Sequence, residues 1–483
     1  MTFTQLLAMA GVDGCPMRVC ADSRGVRKGD IFVATPGTKT DGHDYIRQAV
    51  ANGAKYVVCQ RDVSCDGAET IIVQNSAQAL GLLAHAVAGN PCGRLTNLAV
   101  TGTNGKTTVS FLVRSVVKTA GYKCGMLGTV IYDTGKVVQE APLTTPDALT
   151  IADAARAMAD NGDKFLVLEA SSHALAQDRL YGIAFTAAAF TNLTGDHLDY
   201  HGTMDAYLDA KSRLFTELPP HAIAVLNAES DAARRIAEKL HVRILWYAIE
   251  RPADIVARIE SMDARGSVFG IEFNNYMEEV RTALPGRHNI SNHLAAAGLC
   301  LAAGFDLGTV AKGLSALASV PGRLEPVNTP AAMKAGVRVF VDYAHTDDAL
   351  QNVLSTLRPI CAGRLILVFG CGGDRDKTKR PRMAQAAQER ADVIIVTSDN
   401  PRTEEPLAII DQIKAGFSPQ ALKEKVRIEP DRKKAIALAV SVAKKDDVIL
   451  IAGKGHETYQ ILGTKKIHFS DQETAREMLE AVL

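Results

Sequence analysis

The stretch Leu95-Thr96-Asn97-Leu98-Ala99-Val100-Thr101-Gly102-Thr103-Asn104-Gly105-Lys106-Thr107-Thr108 decides the fold. An apolar run ends in a glycine-bearing loop, and a helical pattern follows over 109–119. Strand, glycine loop and helix start together are what a phosphate-binding loop requires. Glycines let backbone N–H groups close around phosphate oxygens, and the helix N-terminus adds a favourable dipole. In that reading Gly102, Thr103, Asn104, Gly105 and Thr108 surround the phosphates. Lys106 balances their charge, and the Thr107 hydroxyl reaches Mg2+. Val100 stands where the longer GxxxxGK[ST] pattern has its first glycine, so the loop is the shorter GxxGKT form. The competing reading is a tight turn with a surface lysine.

Outward from the loop, the chain divides into three stretches. Residues 1–93 hold short apolar runs at 30–34, 54–58 and 70–73, with helix-like segments near 42–52 and 76–89. This is a small α/β domain, and Asn90-Pro91-Cys92-Gly93 punctuates its end. Residues 94–322 alternate strands, such as 165–168 and 222–226, with helical patterns; 253–283 read as consecutive strands of an antiparallel extension. Residues 323–483 repeat the alternation, with strands at 338–341, 364–369, 393–397 and 448–451 and a helix at 471–482. Alternation implies parallel sheets with crossover helices. The expected fold is therefore α/β in three domains, the last one doubly wound and Rossmann-like.

Composition narrows the function. At roughly 150 residues per domain, a chain of 483 residues suggests about three domains. Lys plus Arg number 54 and Asp plus Glu number 54, a balance that argues against nucleic acid or an acidic membrane as partner. No apolar run approaches the roughly 18 residues of a membrane span. Met1-Thr2-Phe3-Thr4-Gln5 lacks the basic start of a signal peptide. Nine scattered cysteines without a CxxC pair fit a reducing cytoplasm. A cytoplasmic protein without an integral membrane segment is the expectation.

Polar groups gather after the apolar runs. Glu169, in Glu169-Ala170-Ser171-Ser172-His173, follows the run 165–168, where it holds Mg2+ or caps a helix. Asn192-Leu193-Thr194-Gly195-Asp196-His197-Leu198-Asp199-Tyr200-His201-Gly202 packs two Asp and two His into a short span. Metal coordination needs such donors. Lys211, in Ala210-Lys211-Ser212-Arg213, reads by spacing alone as a solvated helical lysine.

GTNGKT, EASSH, NLTGDHLDYHG, AKSRLF, GRHNISN, PGRLE, VDYAHT, FGCGGDRDK, SDNPR and GKGHE occur in this order. Together they resemble the Mur ligases, ATP-dependent ligases of peptidoglycan precursor synthesis. The likeness is greatest to the branch that adds the third residue of the stem peptide. It implies a UDP-binding domain over 1–93, a P-loop ATPase-type domain over 94–322 and an amino-acid-binding domain over 323–483. It also implies ATP and two Mg2+ ions. Lys211 would be carbamylated, and Glu169, His197 and the modified Lys211 would hold metal beside Thr107. Asn289 and Asn292 match the adenine-side element, or cap the helix that begins there. Arg323 matches an arginine that reaches ATP when domains close, and Asp342 and His345 match ribose- or phosphate-side contacts. Lys106, Glu169, His197, Lys211, Asn289, Arg323 and Asp342 make up the implied catalytic set.

The resemblance assigns UDP-MurNAc-L-Ala-D-Glu to Ser23, Thr38, Lys39 and Thr40 in the first domain. From the second it adds Thr144, Thr145, Ser171, Gln177 and Arg179. Asp399-Asn400-Pro401-Arg402 accompanies meso-diaminopimelate rather than L-lysine in the family, with Arg375, Gly453 and Glu457 as further contacts. A guanidinium suits the extra carboxylate of diaminopimelate in a bidentate pair. Gly195, Asp347 and Thr378 depart from the family's usual residues. The implied reaction passes through an acyl phosphate on the D-Glu γ-carboxylate, and a monomer is expected. The same chemistry with L-lysine, a folylpolyglutamate-synthetase-like ligase and a nucleotide-driven switch are the alternatives.

Overall fold

The computed structural model describes residues 1–12, 14, 17–37, 40–63 and 65–482. Thr38 and Lys39, expected at the UDP-sugar peptide, lie outside the described residues. The chain forms two compact units. One comprises Met1–Ala248, Ala253–Ile255 and Ala295–Gly313; the other comprises Ile249–Pro252, Val256–Leu294 and Leu314–Leu483.

The first unit contains two sheets. Val19–Cys20, Ile31–Val33, Tyr56–Cys59 and Glu69–Ile72 lie side by side in parallel. In the larger sheet Thr96–Thr101 is central, between Phe165–Glu169 and Ala187–Phe190, all parallel. Ile223–Asn227 and Arg243–Ile249 continue one side. Cys124–Leu127 and the antiparallel Ile131–Asp133 and Val138–Glu140 continue the other. Leu98, Ala99, Val100, Val167, Leu168 and Ala187–Phe190 are all buried. Strands covered on both faces have no polar side to present, so their sequences are near-continuously apolar. The helix Ser76–Val87 joins the two sheets' surroundings. Gly81 is required there, because a Cβ would stand 2.4 Å from the Tyr181 carbonyl oxygen. Asp178 accepts from Asn75 at 3.0 Å and Gln78 at 3.2 Å, and pairs with Arg213.

In the second unit Arg338–Asp342, Val448–Ala452, Leu365–Phe369, Val393–Val396 and Val426–Ile428 form a parallel sheet in that spatial order. The order departs from chain order at Val448–Ala452, and such sheets bind ligands at the carboxyl ends of strands near the reversal. Gly266–Phe273 and Tyr276–Thr282 form the expected antiparallel hairpin. A second hairpin, Tyr459–Leu462 with Lys465–His468, was not anticipated. Arg432 and Asp471 form a fully buried ion pair at 2.7 Å. Arg432 also donates to the carbonyls of Ser398 and Ala452, the residues that open two loops at the sheet's carboxyl edge.

His85, on the helix Ser76–Val87, is buried, and neither ring nitrogen meets a protein partner. Burial pushes its pKa down to about 4. An unfolded His titrates near about 6.5, so the unfolded chain binds the proton first as pH falls. The contribution of neutral His85 is complete above that pH and is lost as pH falls from it toward about 4. The loss is of the order of 3 kcal/mol. His85→Leu should therefore shrink the fall in urea midpoint between neutral and acid pH. An equal fall in the variant would contradict this.

Candidate active site

The phosphate loop has the conformation its residues impose. Gly102 adopts φ +146°, and a Cβ there would lie 1.9 Å from Thr191 Oγ1. Gly105, at φ +93°, launches the helix Lys106–Thr119. The helix thus begins three residues before the expected start, because Lys106, Thr107 and Thr108 form its first turn. Their polarity hides that turn from hydrophobic periodicity. Asn192 and its neighbours bracket the loop. Asn104 N–H donates to Asn192 Oδ1 at 3.0 Å, and Thr103 N–H donates to Asn192 O at 2.9 Å. Thr191 Oγ1 donates to Asn104 O at 2.6 Å, and Thr194 N–H donates to Thr103 Oγ1 at 3.0 Å.

Two lysines converge on this loop. Lys106 Nζ donates to the carbonyls of Gly102 and Thr103, each at 2.9 Å. Lys211 Nζ donates to the same Gly102 carbonyl at 2.9 Å. Lys211 is 1% exposed, so the solvated-lysine reading is corrected. Its helix, Met204–Thr216, turns this face toward the loop, and Nζ lies 4.4 Å from the Tyr207 ring centroid. Burial, then the nearby Lys106 charge, holds the Lys211 amine well below the usual lysine range.

Glu169 ends its strand fully buried. It accepts from Thr107 Oγ1 at 3.0 Å, Thr129 N–H at 3.0 Å and Thr129 Oγ1 at 2.8 Å. The helix-cap alternative fails, because Ser171 caps the helix Ser172–Ala176. A chain of contacts runs on from Glu169. Thr129 Oγ1, its proton given to Glu169, accepts from Thr144 Oγ1 at 3.2 Å, and Thr145 Oγ1 donates to the Glu169 carbonyl at 2.6 Å. Ser171 N–H donates to Thr145 Oγ1 at 2.9 Å. Arg179 donates to Thr145 O at 2.9 Å and to Gln177 Oε1 at 2.7 Å. Thr144, Thr145, Ser171, Gln177 and Arg179 are thus brought together. Ser23 lies with the first sheet, donating to Gln48 at 2.9 Å, and Thr40 accepts from Gly37 N–H at 3.0 Å.

His197 adopts φ +54° and lies 3.5 Å from Asp196. Its ring meets His173 edge-on at 4.7 Å and Tyr207 at 6.2 Å, centroid to centroid. Among the described residues no three His, Cys, Asp or Glu side chains gather in a metal-binding group. Thr107 and Glu169 nevertheless supply a hydroxyl and a carboxylate in hydrogen-bond contact, hard oxygen donors that suit Mg2+.

The remaining expected residues belong to the second unit. Asn289 and Asn292 lie within the first turns of the helix Arg287–Ala302. Asn289 Nδ2 donates to Pro285 O at 2.8 Å, and its Oδ1 accepts from Asn292 at 3.2 Å. An N-cap precedes the first helical residue, here Arg287, so neither residue caps the helix. Asp342 accepts from Leu324 N–H at 2.7 Å and Ala344 N–H at 2.8 Å. Burial raises its carboxyl pKa while the Arg323 charge opposes the rise. Arg323 lies over the Tyr343 ring at 5.2 Å, and His345 Nδ1 is 2.9 Å from Tyr343 O.

At the carboxyl edge of the same sheet, three loops interlock. Arg402, at φ +54°, donates through N–H to Ile461 O at 3.1 Å and through Nη1 to Gly373 O at 2.8 Å. A Cβ on Gly372 would meet Arg402 Nη1 at 3.0 Å and Arg375 Cγ at 3.8 Å, so both arginines flank that glycine. Asp399 accepts through its carbonyl from Gln460 at 2.7 Å, and Gly453 packs against its carboxylate. Asn400 donates to Glu457 at 3.0 Å. Arg380, fully buried, grips Glu404 through two 2.9 Å bonds and donates to Gly372 O at 3.1 Å. Nothing local in the sequence marks Thr129, Arg380, Glu404, Lys454 and Gln460, because each has a partner tens of residues away. Two departures find local roles. Asp347 starts the helix Asp347–Leu357, and Thr378 hydrogen-bonds Asp376 at 2.7 Å.

Residues 100–300 match the Mur ligase middle domain, 322–455 the Mur ligase glutamate ligase domain and 18–88 the Mur ligase family catalytic domain. The chain belongs to the Mur ligase family, whose members are ATP-dependent amino-acid ligases. It is similar to the UDP-N-acetylmuramoyl-L-alanyl-D-glutamate–2,6-diaminopimelate ligase of Clostridium tetani, at 42% identity over 95% of this chain and 94% of that one. The ligase of that name from Gloeobacter violaceus is 43% identical over 99% of this chain and 98% of its own. A solved structure of a ligase of that name covers 96% of this chain and 94% of its own, at 34% identity and TM-score 0.71. No helix among the described residues is long and apolar enough to cross a membrane.

The loop geometry carries a direct test. Gly102→Ala forces a Cβ into Thr191 and demands an unfavourable φ. ATP affinity should fall at least roughly tenfold, about 1.4 kcal/mol, with the far-UV circular dichroism spectrum unchanged. Undiminished ATP binding by calorimetry would contradict the assigned loop.

Proposed function

We propose that this chain joins meso-diaminopimelate to the D-Glu γ-carboxylate of UDP-MurNAc-L-Ala-D-Glu, consuming ATP. The observation that carries the amino-acid assignment is the placing of Arg402 beside Arg375 at Gly372, in the loop cluster that also holds Glu457. A guanidinium suits a carboxylate, and Glu457 suits an ammonium. Diaminopimelate presents both at the end remote from its reacting amine.

In the proposed reaction the γ-carboxylate attacks the γ-phosphorus of ATP, and the bond to the ADP oxygen breaks. Backbone N–H groups of the 102–105 loop and Lys106 hold the phosphoryl oxygens as charge redistributes. The resulting acyl phosphate is attacked by the amine of diaminopimelate, phosphate leaves, and the amine gives up a proton. Thr107 and Glu169 would hold one Mg2+, which neutralises phosphate charge when bound. Lys211 suits modification: its buried amine beside Lys106 favours the neutral, nucleophilic form. Its lone pair would bond to the carbon of CO2 with loss of a proton, leaving a carbamate. That group would replace a neutral amine at Gly102 with a carboxylate able to hold a second ion with His197. The reading includes three domains over 1–93, 94–322 and 323–483, a monomer, and a cytoplasmic setting where ATP and the UDP-linked precursor are supplied.

The test is phosphate release and product mass with ATP, Mg2+ and UDP-MurNAc-L-Ala-D-Glu, run in parallel with meso-diaminopimelate, L-lysine or no amino acid. A ligated product with diaminopimelate alone is expected. Ligation of lysine would overturn the specificity, and phosphate release indifferent to both substrates would indicate a nucleotide switch.

A further inference from the structure

Lys454 follows the strand Val448–Ala452 by two residues and is fully buried. A buried ammonium persists only where it is paired and hydrogen-bonded. Lys454 Nζ donates to Glu457 Oε2 at 3.0 Å and to Asn400 Oδ1 at 3.2 Å. It also lies 5.4 Å from the Tyr459 ring centroid. Asn400 closes the triangle, because its Nδ2 donates to the same Glu457 Oε2 at 3.0 Å. Ile461 N–H supplies a second donor to Asn400 Oδ1, at 3.0 Å.

These bonds fix orientation as well as place. Rotating the Asn400 amide by half a turn would set its oxygen against Glu457 Oε2 and its NH2 against two donors. Lys454 and Ile461 exclude that state. On Glu457 both donors converge on one oxygen, Oε2, while the side chain stays 18% exposed. Oε1 is then the oxygen that a ligand ammonium would take. The Lys454 charge weakens the Coulomb pull of Glu457 on that ammonium. It also spares the cost of ordering Glu457 at the moment of binding, and preorganised contacts gain affinity in this way.

We propose that Lys454 is a positioning residue of the amino-acid site, holding Glu457 and Asn400 in the arrangement that receives the ammonium of the incoming amino acid. It touches no substrate itself. This rests on the ligase reading above, which wild-type product formation tests separately.

Lys454→Met keeps the length and apolar stem of the side chain and removes its donors. KM for diaminopimelate should rise roughly 10- to 100-fold, the range expected when hydrogen bonds to a charged group are lost. KM for ATP and for the UDP-linked substrate should stay within about twofold, since the lost contacts lie on neither. Lys454→Gln, which restores a neutral donor, should recover part of the loss. The decisive reading is a double-mutant cycle with Glu457→Gln. Because Lys454 acts through Glu457, Lys454→Met should add less than about threefold to KM in the Glu457→Gln background. Should Lys454→Met fold poorly by near-UV circular dichroism, Lys454→Gln carries the same cycle. Additive effects, or equal rises in KM for all three substrates, would overturn the proposal. A wild-type enzyme that ligates no amino acid would overturn the ligase reading instead. One that ligates lysine would move the same cycle to lysine.

Discussion

Two lysine side chains end on one carbonyl oxygen, that of Gly102. The arrangement around the phosphate loop depends on this contact. An amine beside an ammonium in a buried place is driven toward its neutral form, because both desolvation and repulsion oppose a second charge. Lys211, held well below the usual lysine range, is therefore the amine driven toward its neutral form. The same contact explains why position 102 is glycine. The loop must bring its carbonyl to both lysines while Thr191 fills the space a Cβ would occupy.

Strand ends supply the remaining geometry. In the first unit Glu169 ends one strand, the phosphate loop follows a second, and Thr191 and Asn192 follow a third. These strands are adjacent and parallel, so their carboxyl ends share one edge and their loops brace one another. In the second unit the loops after Leu365–Phe369, Val393–Val396 and Val448–Ala452 share an edge in the same way. Buried pairs lock them. Arg432–Asp471 reaches the carbonyls of Ser398 and Ala452, and Arg380–Glu404 reaches Gly372. The expensive burial of charge is concentrated beneath the loops whose orientation matters.

The apolar parallel strands were legible because full burial leaves an uninterrupted signal, as in Leu365–Phe369 and Val448–Ala452. The phosphate loop was legible because its glycines and lysine are adjacent in sequence. The two-residue strand Val19–Cys20 was too short to read, and Lys465, Lys466 and His468 disguise a hairpin strand as exposed coil. Lys211 sits between Ala210 and Ser212 on a helix that also carries Asp205, Asp209 and Arg213, so nothing local marks it as buried. Thr129 contacts Glu169, 40 residues distant, and Lys454 joins the nearby Glu457 to Asn400, 54 residues away, relations that spacing cannot reveal.

Modification of Lys211 requires a reactive neutral amine there rather than a second cation. The direct measurement is carbon NMR of the protein equilibrated with isotope-labelled bicarbonate. A carbamate resonance present in the wild type, absent in Lys211→Ala and lost on acidification is the predicted result. A wild-type spectrum without that resonance, or one that Lys211→Ala leaves unchanged, would contradict it.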